Sequence, residues 1–143
     1  MAPHHQNELR KAIERHPSLN FLFHHMSGLR AHGDDARANV DNVIETSKFP
    51  NAFLKLSGFH YLTNTTWNFP YKDTRWVYEE CYEAFGTNMV WGSDFPVVKK
   101  SMTHLQAIEA FRTQCDFVSE PDKRAILGGT LERLLSEARS VIK

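Results

Sequence analysis

The spacing of apolar residues along the chain changes between a helical period and short unbroken runs. Apolar side chains that recur every three to four residues, with polar residues between them, are typical of amphipathic helices. Three compact apolar runs are too short for core helices, so we predict that they form buried strands. We also predict that Gly128 and Gly129 interrupt the last helical stretch and that Thr130 caps its continuation. The predicted helices span residues 8–15, 38–47, 74–85, 101–117, 119–127 and 131–141, and the predicted strands span residues 19–25, 52–58 and 89–91.

The alternation of strands and helices predicts the fold class. Successive strands that are joined through a helix run in the same direction, and such crossovers are right-handed. We therefore expect a single α/β domain over residues 1–143, built on a parallel sheet. The carboxyl ends of parallel strands meet at one edge of the sheet, where ligands bind in such folds. Polar groups that follow the three strands should then converge on one site.

The composition argues against several classes of function. Lys and Arg total 17, Asp and Glu total 17, and no basic run is present, so the chain lacks the electrostatic signature of a nucleic-acid or anionic-membrane binder. No apolar stretch approaches the roughly 20 residues that a membrane-spanning helix needs. We expect a cytoplasmic protein in which Cys81 and Cys115 are reduced, half-buried thiols.

One short segment joins an apolar strand to a carboxylate. Met89–Trp91 is apolar, and Gly92 leaves room for a close neighbour. Asp94 follows where Pro96 should end the strand. Asp94 could instead be a helix N-cap, because a helix must begin soon afterwards. The preceding apolar strand favours the interpretation of Asp94 as a site residue.

Polar residues also end the two earlier strands. His24 and His25 close the first, and because neighbouring side chains of a strand point to opposite faces, only one of them can face a given site. A partly buried histidine that is satisfied by a backbone group is an equally good interpretation of this stretch. In the second strand, Lys55 either points into a polar site or covers an exposed edge. We favour the site and predict that Lys55 and Ser57, which follows it, bind the substrate.

The segment of residues 59–73 shows neither a helical nor a strand pattern of apolar residues, and it is rich in aromatic, amide and hydroxyl side chains. A structureless loop of about fifteen residues is usually functional or disordered, and the aromatic content argues against disorder. We predict that this segment forms a wall or lid of a binding pocket, in which Tyr61 and Trp67 contact the substrate.

Four segments of the chain form a series with a known counterpart. They are Phe-His-His-Met-Ser-Gly at 23–28, Phe-Leu-Lys-Leu-Ser-Gly at 53–58, Trp-Gly-Ser-Asp-Phe-Pro at 91–96 and Ile-Leu-Gly-Gly-Thr at 126–130. In this order and spacing the chain resembles the amidohydrolase-related TIM-barrel hydrolases, in the branch that includes lactonases of sugar acids and dicarboxylates and some decarboxylases. The resemblance extends over nearly the whole chain, and the third segment is its most specific part.

The resemblance implies a position in an eight-stranded barrel and a role for two residues. The three strands would be the sixth, seventh and eighth, followed by the closing helices. His25 would act on the substrate or on the attacking water, and His24 would then pack outward against a helix. Asp94 would be a general base or a metal ligand. The cofactor would be a divalent metal, zinc above all, or none.

The chain departs from the family pattern at its beginning. The His-x-His motif of the first barrel strand and the histidine of the fifth have no counterpart in the sequence. A barrel of this kind needs about 250 residues, whereas the chain has 143. We therefore expect the amino-terminal half of the barrel to be missing, either because the chain is a fragment or because the reading frame is truncated.

These features favour a hydrolase that opens a lactone, or a similar ester or amide ring, of a small carboxylated or sugar-derived metabolite. Asp94 would take a proton from water while His25 steadies charge on the carbonyl, although the isolated chain should be inactive or nearly so. The alternatives are a non-catalytic half-barrel, a flavodoxin-like module that binds a small anion, and a truncated remnant. Besides its substrate, the chain should bind a second copy or the missing half, because unpaired strand edges and apolar inward faces would otherwise be exposed.

Overall fold

The computed structural model describes residues 2–141 and contains a three-stranded parallel sheet with helices packed against it. The strands are β1 (Phe21–Phe23), β2 (Ala52–Leu56) and β3 (Met89–Trp91), in that spatial order. The prediction of an α/β fold on a parallel sheet is confirmed. The helices are α1 (Gln6–Arg15), α2 (Ala36–Ile44), α3 (Phe59–Leu62), α4 (Arg75–Phe85), α5 (His104–Gln114), α6 (Glu120–Arg124) and α7 (Thr130–Val141).

The register of the sheet builds one continuous apolar face. Phe23 on β1 pairs with Leu54 on β2, which pairs with Met89 on β3, and all three are fully buried. Apolar residues of α1, α2, α4 and α5 belong to the same core cluster. Full burial of one such side chain contributes about 1.5–3 kcal/mol. This cluster therefore fixes the helices on one face of the sheet and leaves the other face for the site.

The opposite face of the sheet is partly covered by the carboxy-terminal helix. Phe53 and Val90 are 2% and 3% exposed, although neither belongs to the main core cluster. The Arg133 guanidinium of α7 lies 5.9 Å from the centroid of the Phe53 ring. The expectation that the apolar side chains of this face are exposed is therefore wrong for Phe53 and Val90, because α7 packs against β3 and lies over Phe53.

Several predicted boundaries differ from those of the structure, including the second strand, which ends at Leu56 and not at Gly58. Two of the differences have clear local reasons. The strand predicted to reach His25 ends at Phe23, because residues 25–28 turn into the left-handed region. The segment predicted as a structureless loop begins with helix α3, which follows Gly58 in a left-handed conformation with φ of 72°. Both differences lie beside the candidate site.

The predicted break at Gly128 and Gly129 is wrong. Ala125–Gly129 form a π-helical segment that joins α6 to α7 without an interruption. Thr130 has helical backbone angles, and its hydroxyl donates to the Thr87 carbonyl oxygen over 2.8 Å instead of capping a helix. A π-helical segment of one turn can lie inside a continuous helix without breaking it.

The structure tests two predictions made from composition, namely the state of the cysteines and the lack of a membrane-spanning stretch. Cys81 and Cys115 are free thiols, and they are fully buried where half-buried thiols were predicted. Burial raises the pKa of both thiols, that of Cys115 to about 12, so both keep their protons. Between residues 2 and 141, no helix has the length and apolar character that crossing a bilayer requires.

Candidate active site

Each strand is followed, at its carboxyl end, by a side chain that reaches a common site. His25 follows β1, Ser57 follows β2 and Asp94 follows β3. Tyr61 joins them from α3, the short helix after β2. The predicted convergence of polar groups at the strand ends is confirmed for these residues by the contacts between them.

The His25 imidazole bridges the other two strand ends. Its Nδ1 lies 3.0 Å from the Ser57 hydroxyl oxygen, and its Nε2 lies 3.6 Å from Oδ1 of Asp94. The first contact is a hydrogen bond, whereas the second is too long for one. Because a carboxylate faces Nε2, we assign the proton to Nε2, so that the Ser57 hydroxyl donates to Nδ1. A substrate oxygen between Nε2 and the carboxylate would then meet a hydrogen-bond donor.

The environment of His25 keeps its imidazole neutral at pH 7. Burial lowers the pKa of His25 from its ordinary value of 6.5. The attraction of Asp94 opposes this lowering, and the repulsion from the Lys55 ammonium adds to it. A neutral imidazole can polarise a carbonyl without carrying a charge into the site.

A second partner holds the Asp94 carboxylate from the other side. The Tyr61 phenol donates to Oδ2 over 2.7 Å, whereas Oδ1 faces His25. Burial raises the pKa of Tyr61 to about 12, and the hydrogen bond to Asp94 is the second cause of this rise. The phenol therefore stays protonated and remains a donor. Oδ2 of Asp94 is thus held by Tyr61, and Oδ1 is available to accept a proton.

The backbone at Asp94 excludes its interpretation as a helix cap. Asp94 is left-handed, with φ of 60°, a region that aspartate tolerates better than most residues. The next helical turn, Val97–Lys100, has Pro96 at its cap position. The next α-helix, α5, is capped by Thr103, whose hydroxyl accepts from the Gln106 amide over 3.2 Å. The alternative N-cap interpretation of Asp94 is therefore wrong.

Gly58 and His60 position the Tyr61 ring. Gly58 is left-handed, and a Cβ at this residue would collide with the ring of Tyr61. The His60 ring also packs against the Tyr61 ring, with the two centroids 4.0 Å apart. His60 is 8% exposed, and burial lowers its pKa, with Asp94 acting in the opposite direction. His60 was not among the residues predicted from the sequence, although its place beside Tyr61, shortly after Ser57 and Gly58, was a signal for it.

A left-handed turn carries His25 into the site. His25, Met26, Ser27 and Gly28 have φ values of 50°, 50°, 55° and 73°, so four consecutive residues lie in the left-handed region. Each non-glycine residue there costs about 1–2 kcal/mol. The buried Met26 side chain stabilises this turn from the core. His24 is exposed and does not pack against a helix as predicted, because strand alternation ends at Phe23.

Lys55 lies on the sheet face that bears the site, and Gly92 makes room for it. A Cβ at Gly92 would lie 2.6 Å from Cε of Lys55 and 3.6 Å from its Nζ. The lysine side chain is half-buried and crosses from β2 to β3. The sequence prediction that Gly92 admits a close neighbour is confirmed, and this neighbour is the Lys55 side chain.

Trp67, predicted to contact substrate, stands apart from this group. Its side chain is 83% exposed. No hydrogen bond or ring contact within residues 2–141 joins it to the other predicted site residues. The structure thus brings together His25, Lys55, Ser57, Tyr61 and Asp94 but not Trp67.

The donor atoms of this chain do not by themselves fit a zinc ion. A catalytic zinc site has about three protein ligands. Among the residues that the structure describes, no group of three His, Cys, Asp or Glu side chains is placed to hold a metal. Asp94 and His25 are the nearest pair of donors, and one Asp94 oxygen already accepts from Tyr61. Any bound zinc would need ligands from outside these residues.

Two solved structures resemble this chain in fold. An amidohydrolase from Burkholderia multivorans, solved with bound zinc, superposes with a TM-score of 0.80 at 20% identity, covering 93% of this chain and 49% of that one. A probable 2-pyrone-4,6-dicarboxylic acid hydrolase from Acinetobacter baumannii, solved with citric acid bound, gives a TM-score of 0.74 at 19% identity, covering 95% and 50%. The chain thus spans about half the length of these structures, which at such identity share its fold.

The sequence itself carries the assignment to a family. A comparison with curated proteins gave no significant match. The family model of the amidohydrolases, however, matches residues 1–136 of the 143. The chain belongs to the amidohydrolase family.

Proposed function

We propose that the chain is the carboxy-terminal part of a (β/α)8 barrel, with β1, β2 and β3 as its sixth, seventh and eighth strands. The parallel order β1-β2-β3 and the coverage of about half of each solved relative support this proposal. In this sheet β1 and β3 are edge strands, and edges of this kind are removed when a barrel closes. The remaining strands would come from a longer protein, a separate chain or a second copy.

We further propose that the whole barrel hydrolyses a lactone or a similar ester or amide ring. The observation that carries this proposal is the Asp94 carboxylate at the end of β3, held by the Tyr61 phenol on one oxygen and facing His25 with the other. Such a carboxylate is positioned to take a proton from water. The Acinetobacter baumannii relative is a probable hydrolase of 2-pyrone-4,6-dicarboxylic acid, and a 2-pyrone ring is a lactone.

The geometry supports the following sequence of steps for hydrolysis of a lactone ring. Oδ1 of Asp94 takes a proton from water as the water oxygen bonds to the ring carbonyl carbon. The Nε2 proton of His25 donates a hydrogen bond to the developing oxyanion. When the ring C–O bond breaks, Asp94 returns its proton to the leaving oxygen, and the product is the hydroxy acid. General acid–base catalysis by such a group contributes about 10²- to 10⁴-fold in rate.

Ser57 and Tyr61 act by positioning His25 and Asp94. Ser57 holds the imidazole by its hydrogen bond to Nδ1, so it positions His25. Tyr61, which the sequence suggested as a substrate contact, positions Asp94 in the structure. Lys55 and Trp67 remain proposed substrate contacts.

A divalent metal belongs to the proposal for the whole protein only. The Burkholderia multivorans relative was solved with zinc. In a complete barrel Asp94 would be one ligand and the others would come from outside residues 2–141, because no group of three metal-ligating side chains lies among these residues. We therefore propose that the isolated chain is inactive or nearly so.

The test is a metal analysis and a panel of lactones on the gene product purified from its own host, with hydrolysis followed by acid release. Turnover of at least one lactone would support the hydrolase. Ligand binding without turnover of any lactone, ester or cyclic amide would contradict it and would favour a non-catalytic binding module.

A further inference from the structure

We infer that Lys55 forms an anion-binding position beside the candidate active site and that the substrate therefore carries a carboxylate. This inference rests on the proposed function, since it names the substrate class of the same site. Of the two substrate classes expected from the sequence, a carboxylated metabolite is therefore favoured over a neutral sugar-derived one.

The first support is the path of the Lys55 side chain. Its Cε would lie 2.6 Å from a Cβ at Gly92, so the Lys55 side chain lies over the bare backbone of Gly92, the residue that follows β3. Alternation along β2 puts Lys55 on the face of Phe53, away from the helix-covered core face of Leu54. The ammonium is therefore directed along the inward face of the sheet.

The second support is the absence of a negative partner. No carboxylate of residues 2–141 comes within 4.0 Å of the Lys55 ammonium, and none of the ion pairs of this region includes it. The side chain is nevertheless half-buried, and its strand neighbour Val90 is apolar. A lysine ammonium that pairs with no carboxylate of the described residues is available to bind an anion, and a charge-assisted contact of this kind would stabilise the bound anion.

The third support is the position of Lys55 relative to the reacting groups. Its charge acts on His25, so the ammonium lies within electrostatic range of the imidazole. It forms no ion pair with Asp94, so the two opposite charges of the site are separated. Asp94 would repel an anion at the reacting carbonyl. The substrate carboxylate therefore lies at a distance from the ring ester, as a substituent that Lys55 binds.

A matched pair of ligands tests the inference. D-Glucaro-1,4-lactone carries a carboxylate at the position where D-glucono-1,4-lactone carries a neutral hydroxymethyl group. Binding of each to this chain is measured by saturation-transfer NMR, which detects millimolar affinities. One charge-assisted contact predicts a preference of at least about tenfold for the acid.

Three variants assign the preference to Lys55. Lys55→Met should remove it, and Lys11→Met, a matched change at an exposed site on α1, should leave it intact. Gly92→Ala keeps the charge and displaces the lysine tip, because the new Cβ would meet Cε. We expect this variant to fold, since Gly92 lies outside the left-handed region, and to show a reduced preference.

The outcomes separate the carboxylate site from the hydrolase. Equal binding of both lactones, binding of neither, or a preference that survives Lys55→Met would overturn the inference. Hydrolysis of both lactones by the gene product with equal kcat/KM would leave the hydrolase and remove the carboxylate site. Lys55-dependent binding without turnover of any lactone would leave the carboxylate site and remove the hydrolase.

Discussion

The left-handed turn that carries His25 offers a sharp test by replacement of Ser27 with glycine. Ser27 has φ of 55°, its side chain is fully buried, and its hydroxyl has no hydrogen-bond partner among the described residues. Glycine adopts this region freely, so Ser27→Gly should remove a conformational cost of about 1–2 kcal/mol. The greater freedom of glycine in the unfolded chain opposes this gain by about 0.5–1 kcal/mol.

The net effect should be a stabilisation of up to about 1.5 kcal/mol, with a central value of about 0.75 kcal/mol. For a chain of this length we expect a rise in Tm of roughly 2–5 °C. Ser27→Ala is the matched control, because it removes the same hydroxyl and keeps the left-handed cost. The difference between the two variants therefore isolates the backbone contribution.

The assay is urea denaturation followed by circular dichroism, with thermal melts of the same samples. Ser27→Gly should exceed Ser27→Ala in free energy of unfolding. If Ser27→Gly is equal to or less stable than Ser27→Ala, the left-handed turn is not strained, and the argument that the fold holds His25 in place at a conformational cost is wrong.

Three further predictions concern the surroundings of the site. Gly58→Ala should destabilise the fold in urea denaturation by more than Gly33→Ala, because both glycines are left-handed but only at Gly58 would the Cβ meet the Tyr61 ring; equal losses would contradict this account. Burial lowers the pKa of His25 and His60, so the unfolded chain binds more protons below pH 6.5 and Tm should fall as pH drops from 7.5 to 5.5. His60→Gln should reduce that fall in Tm. An unchanged dependence of Tm on pH would contradict a contribution from the buried His60. The isolated chain should self-associate at micromolar concentration in light scattering, whereas a monodisperse, cooperatively unfolding monomer that binds no hydrophobic dye would argue against the half-barrel.

The parts of the fold that sequence could predict are those with a strong periodic signal. The three apolar runs became strands, and parallel topology then required Ser57 and Asp94 to meet at one edge. The close approach at Gly92 followed from the lack of a side chain. His25 faces the site as predicted, but a left-handed turn and not strand alternation carries it there. The prediction for His24 failed, because the strand ends at Phe23 and the turn that follows has no periodic signature.

The remaining differences come from tertiary contacts. Tyr61 donates to Asp94 from a four-residue helix, which is too short for a hydrophobic period to reveal. A glycine pair normally indicates a break, yet Gly128 and Gly129 lie inside a continuous helix as part of a π-helical segment. The coverage of Phe53 by α7 depends on how the last helix folds back, and local sequence does not specify that direction.

The central claim is that Asp94 performs the proton transfer in the proposed hydrolase. The most direct measurement is kcat of the gene product on its best lactone for wild type, Asp94→Asn and the matched control Asp41→Asn, an exposed residue of α2. The amide has nearly the shape of the carboxylate but cannot take a proton, so Asp94→Asn should keep the fold and lower kcat by about 10²- to 10⁴-fold, with Asp41→Asn unchanged. Wild-type turnover by a folded Asp94→Asn variant would contradict the claim.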